Sequence, residues 1–355
     1  MNEKQEYFKG RGAQVDPKNR FLKRSYTDEN IEILDEPLLS DRKTELYYET
    51  PKKIVNTVKS PDIYSKYSMN PYQGCEHGCI YCYARNAHEY WGFSAGLDFE
   101  RKIIVKKNAA ELLEKQLMNK NWEVAPIMFS GNTDCYQPIE RKLKITRSML
   151  EVLLKFKQPV GMITKNSLIL RDIDLLSELA QQRLVHVMVS ITSLRDDLRL
   201  AMEPRTTTAK QRLKVIEELN KAGVPTGVMT APIIPGLNSS EVPAIIKAAA
   251  ENGAVNAGYT IVRLNGAIGP IFKDWIYKSF PGAADKVMRQ IAEVHGGQVN
   301  DNRYGTRMRG EGKIADAIRQ LFKFAVKKYL AGRKSYELDL TAFKQPSKDG
   351  QMSLF

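Results

Sequence analysis

Short apolar runs alternate with longer amphipathic stretches along most of this 355-residue chain. The runs are rich in β-branched residues, as buried strands are, and the stretches that follow them repeat apolar residues at helical spacing. The runs lie at 103–107, 125–130, 159–164, 185–192, 225–234 and 257–264. Strands that alternate with helices form right-handed βαβ units around a parallel sheet. The pattern therefore predicts an α/β fold of about six units, the first beginning at the cysteines, in one curved parallel sheet or partial barrel.

The chain on either side of residues 61–280 lacks this alternation. Residues 1–60 mix Gly, Pro, Asn and basic side chains, which predicts an irregular N-terminal extension rather than a folded unit. Strand signals stop after residue 281, and helical patterns predict a C-terminal helical extension over 281–335. Residues 336–355 are predicted to form a flexible tail.

Composition changes this picture little. Hydrophobic residues make up 43% and charged residues 27%, which is ordinary for a soluble globular protein. No apolar run reaches the roughly 18–20 residues needed to cross a bilayer. The first ten residues carry no apolar core of a secretion signal. We therefore expect a cytoplasmic protein with no membrane partner.

The charge is more informative, because it is large and uneven. The formal net charge is +13, with a pI near 9.4. Residues 141–157 carry six bases and one acid, residues 303–344 carry eleven bases and four acids, and residues 26–49 carry eight acids and two bases. A basic surface predicts a polyanionic partner such as nucleic acid. The alternative is a solvated basic surface without a partner.

The four cysteines are distributed unevenly. Cys75, Cys79 and Cys82 fall within eight residues, and Cys135 stands apart. A cytosolic compartment argues against disulfides and favours metal binding or catalysis. Soft thiolate ligands suit an iron–sulfur cluster or zinc. A structural zinc ion needs four ligands, and His77, the nearest further donor, lies in a tight loop between two of the cysteines. Three thiolates therefore predict a 4Fe–4S cluster with one iron left open for a small molecule.

The cysteine spacing, C-x3-C-x2-C, is similar to the signature of the radical S-adenosylmethionine (SAM) superfamily, and Tyr81, the aromatic residue before the last cysteine, also fits it. Gly74 and Gly78 allow the loop to wrap closely around a cluster.

Polar residues follow the predicted strands, where a parallel α/β barrel places its chemistry. Thr133 and Asp134 follow the second strand, Lys165 the third, and Ser190 ends the fourth. SAM needs an acceptor for its amine, a cation for its carboxylate and hydroxyl groups for its ribose. These residue types meet those needs. Each also has a structural alternative, such as a helix cap for Asp134 and a solvated side chain for Lys165.

The chain resembles the spore photoproduct lyase-like branch of radical SAM enzymes over nearly its whole length. The matching pieces are CEHGCIYCYARNAHEY from residue 75, SGNTDCYQPIER, ITKNSLILRDIDLL, VSITSLRDDLRLAMEPRT and APIIPGLN. The resemblance implies a partial (β/α)6 TIM-like barrel with a 4Fe–4S cluster on the three cysteines. It also implies an external one-electron donor and reductive cleavage of SAM to methionine and a 5′-deoxyadenosyl radical, which abstracts hydrogen from a substrate.

The same resemblance assigns site residues. It places Tyr81, Tyr83, Thr133, Lys165 and Ser190 at the SAM site. The substrate-side candidates are Arg205 and Arg263. The lyases use a protein cysteine to return hydrogen to the product, which makes Cys135 the catalytic candidate. A buried, inert thiol is the alternative for Cys135.

The last five residues, Gln351–Phe355, are similar to the short motif by which bacterial replication and repair proteins bind the DNA sliding clamp. Short motifs on flexible segments commonly bind grooves in this way. The alternative is that this tail packs on its own barrel.

Three hypotheses for function follow. The first is a radical SAM enzyme acting in nucleic-acid repair or modification, with lyase-like chemistry. The second is a radical SAM enzyme acting on a protein or a small molecule. The third is a non-catalytic metal-binding protein that binds nucleic acid.

Overall fold

The computed structural model describes residues 10–21, 44–63, 65–333 and 335–346. The strands in chain order are β1 (Glu45–Glu49), β2 (Val55–Thr57), β3 (Tyr67–Met69), β4 (Tyr72–Gln73), β5 (Lys102–Lys106), β6 (Ile127–Phe129), β7 (Val160–Thr164), β8 (Val185–Ser190), β9 (Thr226–Ile233) and β10 (Asn256–Ile261). The helices are α1 (Arg85–His88), α2 (Leu97–Arg101), α3 (Ala109–Leu117), α4 (Glu140–Leu143), α5 (Ile145–Lys155), α6 (Ile173–Gln181), α7 (Asp196–Met202), α8 (Ala209–Lys221), α9 (Val242–Glu251), α10 (Ile268–Ser279), α11 (Pro281–Val294) and α12 (Gly312–Tyr329).

The main sheet has the strand order β10-β9-β8-β7-β6-β3-β2. Strands β3 and β6 to β10 run parallel, and β2 pairs antiparallel with β3 at the edge. The apolar runs that form β6 to β10 are each followed by helix, as the alternation predicted. The six parallel strands confirm an α/β fold with a partial barrel, whose two outer strands do not pair with each other within the described residues.

The apolar run at 103–107 does not join this sheet. It forms β5, which lies between β1 and β4 in a separate three-stranded sheet. The first barrel strand is instead β3, directly before the cysteines, and its short sequence YSM gives little periodic signal. Strand β5 has the apolar sequence of a barrel strand although it belongs to another sheet, because its residues Ile103, Ile104 and Val105 are all buried.

The N-terminal region is more ordered than its composition predicted. Strands β1 and β2 both lie within residues 1–60, and β1 pairs in parallel with β5. Strand β1 is largely exposed, with only Leu46 and Glu49 partly covered, so its sequence lacks the apolar run of a core strand. Residues 10–21 also contact the rest of the chain, near the cysteine loop described below.

The main core lies between the sheet and the helices α3, α5, α6 and α8. A second buried cluster underlies α10 and α11. In the predicted C-terminal extension, α12 packs against α9, and residues 299–308 bond to the chain at and after the end of β10. No helix of the described residues is long and apolar enough to span a membrane.

Residues 335–346, most of which the sequence placed in the flexible tail, bind to the rest of the chain. The Tyr336 hydroxyl donates to the Val185 carbonyl at 2.9 Å, and the Lys344 amide donates to the Phe156 carbonyl at 3.0 Å. The ring of Phe343 packs beside that of Phe156. The segment has no periodic apolar pattern, so its composition did not predict these scattered contacts. The motif Gln351–Phe355 lies outside the described residues.

Candidate cofactor site

The three clustered cysteines lie on the loop between β4 and α1. Gly74 and Gly78 both adopt positive φ angles, of 79° and 67°, which residues with a Cβ rarely adopt. A Cβ on Gly78 would lie 2.8 Å from Glu100 Oε2, so only glycine fits there. The loop is also fixed by the Cys75 amide, which donates to the Phe99 carbonyl at 2.9 Å.

The three thiols are free and close to one another. Cys75 and Cys79 are buried, and Cys82 is half-buried. Burial raises the pKa of all three thiols, and the neighbouring Cys79 and Cys82 raise that of Cys75 further. Thiols that are buried beside one another do not ionise readily when no metal is bound. A bound metal changes this, because coordination stabilises the thiolate.

His77 is engaged elsewhere and does not complete a zinc site. Its Nδ1 lies 3.4 Å from Asp134 Oδ2, and its Nε2 lies 3.1 Å from Asn166 Nδ2. Within the part of the chain that is described, no three His, Cys, Asp or Glu side chains are arranged to hold a single ion. Three thiols without a fourth ligand suit a cluster, which spreads its ligands over several irons. The residues present therefore fit a 4Fe–4S cluster better than zinc.

A buried ion pair anchors the loop from one side. Arg85 Nη2 lies 2.6 Å from Glu100 Oε1, and both side chains are fully buried. Arg85 also donates to the Cys79 carbonyl from Nε at 3.1 Å and from Nη2 at 2.9 Å. A buried guanidinium needs such partners, since an unpaired charge in the interior is strongly destabilising. The pair therefore fixes the backbone of one cluster ligand.

The same carboxylate binds the N-terminal segment. The amides of Gly12 and Ala13 donate to Glu100 at 3.1 and 2.8 Å. A Cβ on Gly12 would lie 1.7 Å from the Gly78 carbonyl oxygen, so the two segments approach as closely as glycine allows. Arg85, Glu100 and Gly12 were not among the site residues predicted from the sequence. The glycine within GRGA was the only local signal, since residues so far apart in sequence give no motif.

A second buried pair lies on the other side of the loop, after β8. Arg212 Nη2 lies 2.5 Å from Glu203 Oε2, and Glu203 Oε1 accepts hydrogen bonds from Tyr81 and from Thr192. Burial alone would raise the pKa of Glu203. The guanidinium of Arg212 and the ammonium of Lys165 outweigh burial, and the pKa falls to about 2. Tyr81, the aromatic residue before Cys82, is thus bound to an ionised carboxylate.

Lys165 lies beside this network with its ammonium uncommitted. Its Nζ lies 6.0 Å from the centroid of the Tyr81 ring, and no hydrogen bond from Nζ is found among the described residues. Burial lowers the pKa of Lys165, but the nearby Cys79 and Glu203 raise it more, so the side chain stays positively charged. A retained cation next to a cluster ligand can bind an anionic group.

Two other predicted SAM ligands already have partners within the chain. The Asp134 carboxylate accepts hydrogen bonds from the Thr164 hydroxyl, the Lys165 amide and the Tyr136 amide, at 2.8 to 3.1 Å. The buried Thr133 hydroxyl donates to the Tyr72 carbonyl at 2.6 Å. These contacts give both residues a structural role, since they join the loop after β6 to the end of β7 and to β4. Their place at the SAM site stays a prediction.

Tyr83 and Ser190 lie at the same edge of the barrel. The Tyr83 hydroxyl donates to the Gly131 carbonyl at 2.5 Å while 55% of the residue is exposed. Ser190 is buried at the end of β8, and its carbonyl accepts a hydrogen bond from Arg212 at 2.9 Å. Both residues therefore stay candidates for the SAM site.

Cys135 lies in the main core rather than in the site. It is fully buried among apolar side chains, and burial raises the pKa of its thiol well above the usual value. Its amide and carbonyl bond to Ser130 and Thr146. The prediction that Cys135 is catalytic is not supported by this position, which favours the inert core thiol.

The two substrate-side arginines lie apart. The Arg205 amide donates to the His77 carbonyl at 3.3 Å, so Arg205 adjoins the cysteine loop. Arg263 follows β10 and its Nη1 contacts the Asp301 carbonyl at 3.5 Å. Burial and the neighbouring Arg307 lower the pKa of Arg263.

The cysteine loop lies within a match to a known protein family. A family model described as the radical SAM superfamily matches residues 69–249, about half of the chain. An uncharacterised protein of Mycobacterium tuberculosis is 33% identical over 218 residues, which are 61% of this chain and 64% of that protein. An uncharacterised protein of Methanocaldococcus jannaschii is 30% identical over 187 residues, which are 52% of this chain and 66% of that protein. The match thus spans somewhat less than two thirds of these relatives.

Solved structures share the fold. Spore photoproduct lyase complexed with dinucleoside spore photoproduct aligns with a TM-score of 0.57 and 16% identity, over 81% of this chain and 80% of that one. A variant of that lyase with bound AdoMet and the same dinucleoside aligns with a TM-score of 0.56 and 17% identity, over 81% and 79%.

We predict that Arg85→Met destabilises the chain and weakens cluster binding. The substitution leaves the Glu100 charge buried and unpaired, which costs about 3–5 kcal/mol of unfolding free energy. It also removes the donors to the Cys79 carbonyl. Urea denaturation measures the first effect, and iron content after anaerobic reconstitution measures the second.

Arg289→Met on α11 is the matched control for this prediction, because Arg289 is exposed and forms no ion pair with a described residue. Equal unfolding midpoints for Arg85→Met and the wild type would contradict the role given to the Arg85–Glu100 pair.

Proposed function

The chain belongs to the radical SAM superfamily, whose cofactors are a 4Fe–4S cluster and SAM, and we propose that it cleaves SAM reductively in order to act on nucleic acid. The observation that carries the first part is the cysteine loop. Cys75, Cys79 and Cys82 are three free thiols on one braced loop, with Lys165 beside them. When bound, the cluster supplies the electron, received from an external donor, that splits SAM into methionine and a 5′-deoxyadenosyl radical.

The chain's own residues bind and orient these groups. Cys75, Cys79 and Cys82 would hold the cluster. Lys165 would pair with the SAM carboxylate, because its cation lies next to Cys79 and has no anionic hydrogen-bond partner in the described chain. The Glu203 carboxylate holds the Tyr81 hydroxyl, which fixes the ring beside Lys165. Tyr83 and Ser190 would complete the wall of the SAM site.

Three observations support nucleic acid as the substrate class. The net charge is +13, which favours a polyanion. Several aromatic side chains are exposed, and some of them stack with each other or with a cation, as Phe21 does with Tyr90 and with Arg20. Such surfaces suit stacked bases. The fold is shared with an enzyme that was solved with a dinucleoside photoproduct.

The second candidate function is modification of a protein or a small molecule. The same cysteine loop and Lys165 serve it equally well, because they act on SAM and not on the substrate. The two candidates differ only in what the basic surface binds.

We predict that the anaerobically reconstituted chain, given dithionite and SAM, forms 5′-deoxyadenosine, and that Cys79→Ala forms none. Loss of one thiolate leaves two ligands, which are too few to hold a 4Fe–4S cluster. Absorbance and electron paramagnetic resonance report the cluster, and chromatography reports the product. Cys135→Ala is the control and should keep both signals, because Cys135 lies in the core. An intact cluster without product in the wild type would reject the enzymatic proposal.

We also predict salt-dependent binding of single-stranded DNA. Two phosphate contacts would lower the affinity about tenfold between about 50 and about 200 mM salt. Fluorescence anisotropy with a labelled oligonucleotide measures this dependence. Absent or salt-independent binding would favour the protein or small-molecule substrate.

The terminal residues Gln351–Phe355 supply a further proposed contact, with the DNA sliding clamp. We predict that deleting residues 351–355 removes binding to the clamp in surface plasmon resonance, while 5′-deoxyadenosine formation is unchanged. Undiminished clamp binding by the truncated chain would reject the motif.

A further inference from the structure

A cavity of about 420 Å³ lies outside the cysteine loop. It is bordered by Pro138 and Arg141 before α5, by residues 166–168 after β7, and by residues 205–208 and Gln211 at the start of α8. Its volume is in the range of small-molecule sites. None of the side chains assigned above to the SAM site lines it, whereas Arg205, a substrate-side candidate, does.

The charge in this cavity has one sign. Arg141 and Arg205 line it, and none of the ten lining residues is acidic. Arg141 is exposed and forms no ion pair with a described residue. Glu76, the nearest acidic partner of Arg205, lies 3.9 Å from Arg205 Nη2, at the limit of an ion pair.

One donor in this group has no partner. Arg205 Nη1 is buried and makes no hydrogen bond within the described chain. A buried donor without an acceptor is destabilising, and more so when it is charged. Native structures rarely keep such a group unless a ligand or water supplies the acceptor.

Two threonines of the cavity already donate hydrogen bonds within the chain, which leaves the two arginines as its charged donors. The Thr206 hydroxyl donates to the Glu203 carbonyl at 2.8 Å, and the Thr207 hydroxyl donates to the Lys165 carbonyl at 2.9 Å. Thr208 caps α8, because its hydroxyl accepts from the Gln211 amide at 3.3 Å, and the amides of Ala209 and Lys210 have no acceptor within the helix. The positive end of that helix dipole adds to the field of the two arginines.

We infer that this cavity binds a phosphate group of a nucleotide or of a nucleic-acid strand. Two guanidinium groups and the start of a helix match the geometry and the charge of phosphate oxygens. Arg205 joins the cavity to the cluster site, because its amide bonds to the His77 carbonyl. The inference rests on the proposed function for one point, that the phosphate belongs to the substrate.

Binding of thymidine 5′-monophosphate (dTMP) and of thymidine to the reconstituted full-length chain tests this inference. Saturating SAM is present, so that the nucleotide cannot occupy the SAM site, and dithionite is omitted, so that SAM cleavage plays no part. In calorimetry we expect dTMP to bind at least about tenfold more tightly than thymidine, since a charge-assisted hydrogen bond contributes about 1.5–3 kcal/mol. Equal affinities would overturn the inference.

Three variants assign the binding to the cavity. Arg205→Gln and Arg141→Gln should each weaken dTMP binding about tenfold, and Arg205→Lys should weaken it less because the charge is kept. Arg289→Gln on α11 removes the same charge elsewhere and should change the affinity less than about twofold. Arg141 is exposed, so its substitution does not depend on refolding of the loop. Unchanged dTMP affinity in Arg141→Gln and Arg205→Gln would overturn the assignment.

The source of the phosphate is decided by competition. An oligothymidylate without terminal phosphates should displace dTMP if a nucleic-acid strand is the natural ligand, and its affinity should fall in Arg205→Gln. If the oligothymidylate does not displace bound dTMP, the natural ligand is a free nucleotide, and it occupies the same cavity. A chain that binds dTMP but forms no 5′-deoxyadenosine would separate failure of the proposed function from failure of this inference.

Discussion

The buried Arg85–Glu100 ion pair is the contact on which the cofactor site depends. It joins three segments that are distant in sequence, namely the cysteine loop, the end of α2 and the N-terminal residues 11–13. A buried pair is tolerated only when the remaining donors and acceptors are satisfied. Arg85 meets this condition through the carbonyls of Cys79, Ala95 and Gly96. The Cys79 backbone is therefore positioned by the fold itself.

The Glu203–Arg212 pair positions the cysteine loop from its other side. It binds Tyr81 through Glu203, and the Ile80 amide nearby donates to the Met202 carbonyl at 3.0 Å. The loop is thus held at its middle from two directions. Lys165 lies beside this pair, and its ammonium forms no hydrogen bond in the described chain, although Cys79, Glu203 and Asp134 all act on it electrostatically. An ammonium without a hydrogen-bond partner is free to bind an anionic group such as the SAM carboxylate.

The sequence predicted the parts of this site that leave a local pattern. Apolar periodicity predicted five of the six barrel strands, and cysteine spacing predicted the loop. Sequence patterns did not predict the contact between Arg85 and Glu100, because an ion pair between separate segments leaves no periodic pattern in the sequence. Strand β5 was assigned to the wrong sheet since burial on both faces looks alike in either sheet. Asp134 and Thr133 have the polar groups that SAM needs, and the sequence could not show that both also bond within the chain, to Lys165 and to Tyr72.

The net charge counted from the sequence does not show which charged side chains are paired within the fold. Residues 303–344 looked strongly basic, yet Arg303 and Arg307 pair with Asp301 and Asp62. The charges of these two arginines are balanced by the carboxylates next to them, so they attract a ligand less than an unpaired arginine would. Arg141 at the start of the other basic stretch has no such partner among the described residues, and it lines the same cavity as Arg205, whose buried Nη1 makes no hydrogen bond there. Two arginines without a close acidic partner therefore line one cavity beside the cysteine loop, where a substrate phosphate would need them.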